Sequence, residues 1–189
     1  VLLTVRVTNQ SNQPLTGLLT PKTLALFIYL AVSGQPQPRD HLADLFWHEL
    51  NAQQARNNLR YLLPDLRQHL DTHLTITAET IGFNRQAPYW LDVERLQTVL
   101  RRELAVARQK PAPAVDIPAL QTALDLYRDK FLAGFTVRNA PLFEGWVRQQ
   151  ENELHHLALQ GFYTLAESCY HQGEIQGGLT ANQHLLRWE

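Results

Sequence analysis

The sequence predicts a mainly α-helical protein with a small β part. Apolar residues recur every three to four positions over most of the chain, the spacing of helices with one buried face. Residues 73–85 instead alternate apolar and polar side chains, the period of a β-hairpin. Hydrophobic residues make up 44% of the 189 residues, which is enough to build a core.

The first 70 residues predict two short strands and three helices. Residues 2–17 are rich in Leu, Val and Thr around a turn-like centre, which favours the two strands. The first helix has Thr20 as N-cap, Pro21 as its first residue and Gly34 as its end. The predicted helices cover residues 20–34, 39–51 and 52–70. The side chains predicted to face inward are Leu24, Phe27, Ile28 and Ala31 in the first, Leu42, Leu45, Phe46 and Leu50 in the second, and Leu59, Leu63 and Leu66 in the third.

A hairpin follows the third helix. Leu74 and Ile76 alternate with polar residues, and so do Ile81 and Phe83, with a tight turn at residues 78–79 between them. Strands, three helices and a hairpin in about 90 residues are the layout of a winged helix-turn-helix, in which the third helix reads DNA and the hairpin is the wing.

The second half predicts helices alone. They cover residues 93–109, 119–134 (ending at Gly134), 140–173 and 174–188, with a Pro/Ala-rich break at residues 110–118. Helix pairs joined by short turns indicate a helical-repeat, tetratricopeptide-like domain. The predicted domains are therefore 1–91 and 92–189, with Trp90 expected to anchor the junction between them. Because the chain contains no Met and stops after an amphipathic helix, we expect it to be a piece of a longer protein, truncated at its C-terminus.

The third helix carries the candidate DNA contacts. Arg offers two donors to guanine O6 and N7, and Asn can pair at two atoms of adenine. Since Arg56 and Arg60 lie four apart with Asn57 beside them, all three are expected to project outward opposite the leucines. Asn57, Arg60 and Arg56 are thus predicted to read bases. The predicted phosphate contacts are Lys22 near a helix start, Arg67, and the hairpin hydroxyls of Thr75, Thr77 and Thr80.

The role of this helix, the number of its phosphate contacts and the effect of Pro64 leave alternatives open. An amphipathic helix with three arginines on its wet side is also typical of an ordinary solvated surface. Residues 1–90 carry seven Lys and Arg against six Asp and Glu, so few phosphate contacts and dependence on a homodimer or tandem half-sites are expected. Pro64 indicates either a mild kink or a break into two short helices.

Other classes of function find little support in the residues. The single cysteine, Cys169, excludes an intramolecular disulfide and fits a reducing cytoplasm. No apolar run is long enough to cross a membrane. No phosphate-binding loop or zincin motif occurs, so neither an enzyme nor a cofactor is expected. The helical spacing of His41, Asp44 and His48 lacks a further ligand, so no metal site is expected.

Three segments resemble a known family. They are "ARNNLRYLLPDLRQHL", "LTITAETIGFNRQAPYWLDVERL" and "LDLYRDKFLAGFTVRNAPLFEGWVRQQENEL". Together they resemble bacterial antibiotic-regulatory-protein (SARP) transcriptional activators, over nearly the whole chain. The resemblance implies a response-regulator-like winged helix joined to a bacterial transcriptional activator domain of tetratricopeptide-like helices. It also implies sequence-specific binding of double-stranded DNA, with recruitment of RNA polymerase; we expect a homodimer on direct-repeat half-sites.

The wing departs from that family at its tip. Relatives often place a basic residue there, whereas this chain has Ala78 and Glu79, and a carboxylate repels phosphate. The sequence therefore leaves a second hypothesis open, a protein-interaction scaffold whose winged helix has lost DNA binding.

Overall fold

The computed structural model describes residues 19–109 and 114–174, with three isolated positions beyond them. Its elements are mainly helical with one small antiparallel sheet, as the sequence predicts. In chain order they are α1 (Pro21–Ser33), β1 (Gln37–Pro38), α2 (Arg39–Trp47), α3 (Ala52–Leu70), β2 (Leu74–Ile76), β3 (Thr80–Phe83), α4 (Asp92–Ala107), α5 (Ile117–Leu124) and α6 (Pro141–Gln172). The strands predicted in 2–17 and nearly all of the helix predicted over 174–188 lie outside the described residues.

Helix α1 has the boundaries that its end signals predict. The Thr20 side chain accepts a hydrogen bond from the Thr23 amide, Pro21 opens the helix, and Gly34 ends it at a φ of 73°. The buried surface of the helix is wider than predicted, because Leu26 and Leu30 are also fully buried. Ile28, which was predicted to face inward, is only half-buried.

Helix α2 is shorter than predicted. It ends at Trp47, and the Leu50 amide then donates to the Trp47 carbonyl in a turn. Leu50 is consequently 41% exposed, and its predicted inward position is wrong.

Helix α3 spans the residues predicted for it. The Asn51 side chain caps its start by accepting from the Gln54 amide at 2.9 Å. The helix continues through Pro64 without interruption, so the interpretation as two short helices is wrong. Leu59, Leu63 and Leu66 are buried as predicted.

The predicted hairpin forms and gains a third strand. Strands β2 and β3 pair antiparallel with Ile76 opposite Ile81, and residues 77–79 form the turn. Strand β1 pairs with the other edge of β3, giving the order β1-β3-β2. The sequence did not predict β1, since two residues ending in Pro38 show no alternating pattern.

Helices α4 and α6 match their predictions closely, whereas α5 does not. Helix α5 ends at Leu124 rather than at Gly134, and residues 125–133 form turns and irregular backbone. The i→i+3 bond from the Tyr127 amide to the Leu124 carbonyl tightens the end of the helix. The carboxylate of Asp129 then accepts from the Lys130 amide, a local bond that competes with helix continuation.

The described chain divides into two compact units. The first unit comprises residues 19–91 and 134–148, and the second comprises residues 92–109, 114–133 and 149–174. The first unit includes residues 134–148 as well as the chain up to residue 91. Stacking of Phe143 on Phe46, with ring centroids 5.1 Å apart, ties that segment to α2.

Trp90 is the residue expected to anchor the junction between the two predicted domains. Its side chain is 66% exposed, so little of the indole is buried against any neighbour. Over the described residues, no helix combines the length and the apolar character needed to span a bilayer.

Candidate nucleic-acid interface

One side of α3 is polar and open. Because the leucines of this helix pack inward, Arg56, Asn57, Arg60 and Arg67 are all exposed. We call these four residues the α3 polar face. The structure thus brings together on one surface the three predicted base contacts and one predicted phosphate contact.

An open cleft of about 560 Å³ lies along part of this face. The start of α2, the first half of α3 and the tip of the hairpin enclose it. Its lining residues are Pro38, Arg39, Asp40, Arg56, Asn57, Leu59, Arg60, Ala78 and Glu79. Three guanidinium groups and two carboxylates therefore line the cleft, which leaves it with one net positive charge.

Arg60 has the fewest internal contacts of the four residues in the α3 polar face. Its side chain is exposed and makes no hydrogen bond or ion pair within residues 19–109 and 114–174. Asn57 lies beside it and accepts from the Gln53 amide group at 3.2 Å, so its own NH₂ group still points to solvent. Arg67 lies two turns further on, where its Nε is 4.0 Å from the exposed Asp71 carboxylate, a weak i,i+4 contact.

Arg56 is held by a partner. Its Nε donates to Asp40 Oδ1 at 2.6 Å and its Nη2 donates to Asp40 Oδ2 at 3.0 Å. These hydrogen bonds, with the charge of Arg56, hold the pKa of Asp40 below its usual value, so the pair stays ionised at neutral pH. The predicted free guanidinium is therefore one half of an ion pair that joins α2 to α3.

Lys22, a predicted phosphate contact, is hydrogen-bonded within the first unit. Its ammonium donates to the Phe46 carbonyl at 3.0 Å and to the Asn139 carbonyl at 3.2 Å, and it lies over the Trp47 ring. Burial lowers the pKa of Lys22, although nearby Glu49 acts in the opposite direction. These internal bonds compete with any phosphate, and the phosphate contact of Lys22 stays a prediction.

The hairpin hydroxyls differ from one another. Thr77 Oγ1 accepts from the amides of Thr80 and Glu79, at 2.9 and 3.2 Å, and lies 3.0 Å from Thr80 Oγ1. The Thr77 hydroxyl therefore helps to close the turn, and the phosphate contacts of Thr77 and Thr80 stay predictions. Thr75 is exposed on β2, and its hydroxyl remains available to solvent.

Arg39 fixes the tip of the hairpin and was missed by sequence reasoning. Its Nε and Nη2 both donate to the Thr77 carbonyl, at 3.1 and 2.8 Å, and its amide donates to the Glu79 carbonyl. The first residue of α2 therefore holds the turn against the start of that helix, beside the cleft. No sequence signal identifies this contact, since it depends on the pairing of β1 with β3.

Tyr61 is a second residue that the sequence analysis passed over. It lies one turn after Asn57 on α3 and is 80% exposed, unusual for an aromatic side chain. A search of the helix for exposed aromatic residues, as well as for charges, would have found it.

The other side chains considered as metal ligands or nucleophiles are bonded or buried within the protein. Tyr29 Oη lies 2.8 Å from His41 Nε2, and Asp44 Oδ1 lies 2.8 Å from His48 Nδ1, so these histidines already have partners. Within the described ranges no three potential ligands come together to hold a metal ion. The Cys169 thiol is buried, and burial together with Glu174 raises its pKa, which disfavours the nucleophilic thiolate.

A scan against protein-family models finds no match for this chain, and a search of curated proteins finds none either.

Proposed function

We propose that the first unit is a winged helix-turn-helix that binds double-stranded DNA, and that the chain regulates transcription as an activator. Helix α3 enters the major groove, and the hairpin of β2 and β3 lies along the adjacent backbone. The order helix, short strand, helix, helix, hairpin supports this assignment, as does the third strand that ties the hairpin to the start of α2.

The observation that carries the proposal is the exposure of Arg60. A guanidinium that has no partner among the described residues, on the outward side of a helix whose other side is filled with leucine, is free to donate to guanine. Asn57 presents amide donors beside it. Phosphate contacts from Arg67 and Thr75 then set the register of the helix in the groove.

The proposed role of the second unit rests on the sequence resemblance. We propose that its helices mediate dimerisation on direct-repeat half-sites or contact RNA polymerase, as in SARP-type activators. A homodimer also compensates for the low net positive charge of the first unit, because two protomers double the number of phosphate contacts.

Selection of bound sequences from a random pool of duplex DNA tests the proposal directly. We expect the wild type to enrich one motif, present twice at a fixed spacing. Arg60→Ala should lower affinity for that motif by about 5- to 100-fold and relax the preference at one base pair. The matched control is Arg138→Ala, which removes an exposed arginine of the first unit outside α3 and the hairpin and should leave binding unchanged.

The second candidate is a protein-interaction scaffold that no longer binds DNA. The exposed carboxylate of Glu79 at the hairpin tip favours it, and so does the internal use of Lys22, Thr77 and Thr80. Absence of salt-dependent binding to any duplex, by a protein that remains folded, would establish this alternative and overturn the DNA-binding proposal.

A further inference from the structure

Asp40 and Arg56 form a bidentate ion pair. Both carboxylate oxygens and two guanidinium nitrogens take part, at 2.6 and 3.0 Å. The residues lie on different helices, with Asp40 in the first turn of α2 and Arg56 in the second turn of α3. Both side chains are more than half exposed, and both line the cleft.

The pair leaves one edge of Arg56 open. A guanidinium carries five N–H donors, and Asp40 occupies one on Nε and one on Nη2. The two protons of Nη1 and the second proton of Nη2 remain, and the Nη1–Nη2 edge is itself a two-donor fork. Such a fork matches a pair of acceptors on one planar partner, as guanine presents with O6 and N7.

The pair also changes what Arg56 attracts. A phosphate is drawn by net charge, and the neighbouring carboxylate cancels most of the charge of Arg56. The acceptor edge of guanine is uncharged, and a guanidinium that is already fixed loses less side-chain freedom when it binds there. Asp40 thus weakens the contact of Arg56 with phosphate, which every duplex offers. It preserves the contact with the O6 and N7 edge of guanine, which depends on sequence.

We infer that Asp40 is a positioning residue that holds Arg56 for the two-acceptor edge of guanine and so sets the ratio of specific to non-specific DNA binding. This inference rests on the proposed function, since it requires α3 to lie in the major groove.

Three measurements on purified full chain test it. The probes are the duplex selected by the wild type, the same duplex with 7-deazaguanine (which lacks N7) placed at each guanine in turn, and a random-sequence duplex. The variants are Asp40→Asn, which removes the charge with little change in shape, and Asp40→Glu, which keeps the charge. The control is Asp44→Asn, the same change of charge at another exposed position of α2.

We expect Asp40→Asn to bind the random duplex several-fold more tightly, with a salt slope steeper by about 0.9 because one more cation is free for phosphate. Its ratio of specific to random affinity should fall by about tenfold, and Asp40→Glu should recover part of that ratio. One 7-deazaguanine should weaken wild-type binding by about tenfold and weaken Asp40→Asn much less.

The outcomes separate this inference from the proposed function. If the wild type selects a duplex but Asp40→Asn keeps its specificity ratio and its salt slope, only the role of Asp40 is overturned. The same holds if the selected motif contains no guanine whose 7-deaza analogue matters. If the wild type binds no duplex at all, the proposed function fails and this inference fails with it. A loss of binding to both duplexes by the same factor, matched by Asp44→Asn, would mean a non-specific effect of charge and would also overturn it.

Discussion

The proposed DNA binding should have a salt dependence set by the cations that the structure leaves open. Arg60 has no internal ion-pair partner in the described chain, and Arg67 has only a 4.0 Å contact with Asp71. Arg56 is largely neutralised by Asp40, and Lys22 is committed to backbone carbonyls. Two open cations per protomer therefore remain, Arg60 and Arg67, which predicts a slope of log K against log salt of about −2.

That slope corresponds to a loss of affinity of about 15-fold between 50 and 200 mM salt. The measurement is a titration of fluorescent duplex with protein at four or more salt concentrations, followed by anisotropy. Arg67→Ala should reduce the slope by about one, and Lys22→Met should leave it unchanged.

Two results would refute the reasoning. A slope steeper than about −6 per protomer would require more phosphate contacts than the α3 polar face and the hairpin can supply. A smaller slope for Lys22→Met would show that its ammonium leaves the carbonyls of Phe46 and Asn139 to bind DNA.

Three further predictions concern stability and are read from denaturant unfolding. Lys22→Met should lower the free energy of unfolding by about 1–2 kcal/mol, because the two carbonyls lose a charged donor; no loss would mean that water replaces it fully. Gly161→Ala should destabilise α6 by about 1–2 kcal/mol, since its Cβ would lie 2.7 Å from Leu100 Cδ2 in the core. The control Gly145→Ala lies in the same helix, where an added Cβ would meet only Arg148 Nη2 at 3.9 Å; it should instead stabilise by about 0.5–1 kcal/mol, and equal effects of the two would contradict the packing argument. Burial, with Glu151 and Asp129, raises the pKa of Tyr127 to about 12 from an ordinary value of 10, so its stabilising contribution is complete below pH 10 and is lost as pH rises through 12. Wild type should therefore lose stability relative to Tyr127→Phe across that interval, and parallel pH profiles would refute the shift.

Element positions were largely predictable because they depend on local chemistry. Thr20, Pro21 and Gly34 set the ends of α1 through bonds and backbone angles within a few residues. The end of α6 is similar: the Glu174 amide donates to the Cys169 carbonyl and the Gly173 amide to the Tyr170 carbonyl, a Schellman motif closed by a glycine with positive φ.

The failures concern long-range pairing. Strand β1 exists only because β3 offers it a free edge. Tyr127 and Phe131 continue the helical spacing of α5 and are buried as a helix would bury them, yet the backbone beneath them is irregular. Periodicity reports which side chains are buried and not which backbone buries them, so such a segment is indistinguishable from a helix in the sequence. The return of residues 134–148 to the first unit escapes local patterns for the same reason.

The predicted site residues differ in whether a hydrogen-bonding partner within the protein lies close enough to bind them. Lys22 follows the first residue of α1, where the unpaired carbonyls that end α2 come close, and a cation near such carbonyls is taken by them. Thr77 lies in a tight turn whose amides need an acceptor. Arg60 is different, because the helix around it offers leucine on one side and Arg56, Asn57 and Pro64 on the other, none of which presents a free anion.

A cation in mid-helix, away from carbonyl ends and from carboxylates one turn distant, therefore finds no acceptor on its own helix. This criterion requires only the amino-acid sequence, and Arg60 and Arg56 both meet it. It does not detect Asp40, which reaches Arg56 from another helix, 16 residues away in the chain. Contacts between elements thus decide whether an exposed arginine is free, and they must be known before a polar helix face is assigned to a groove of DNA.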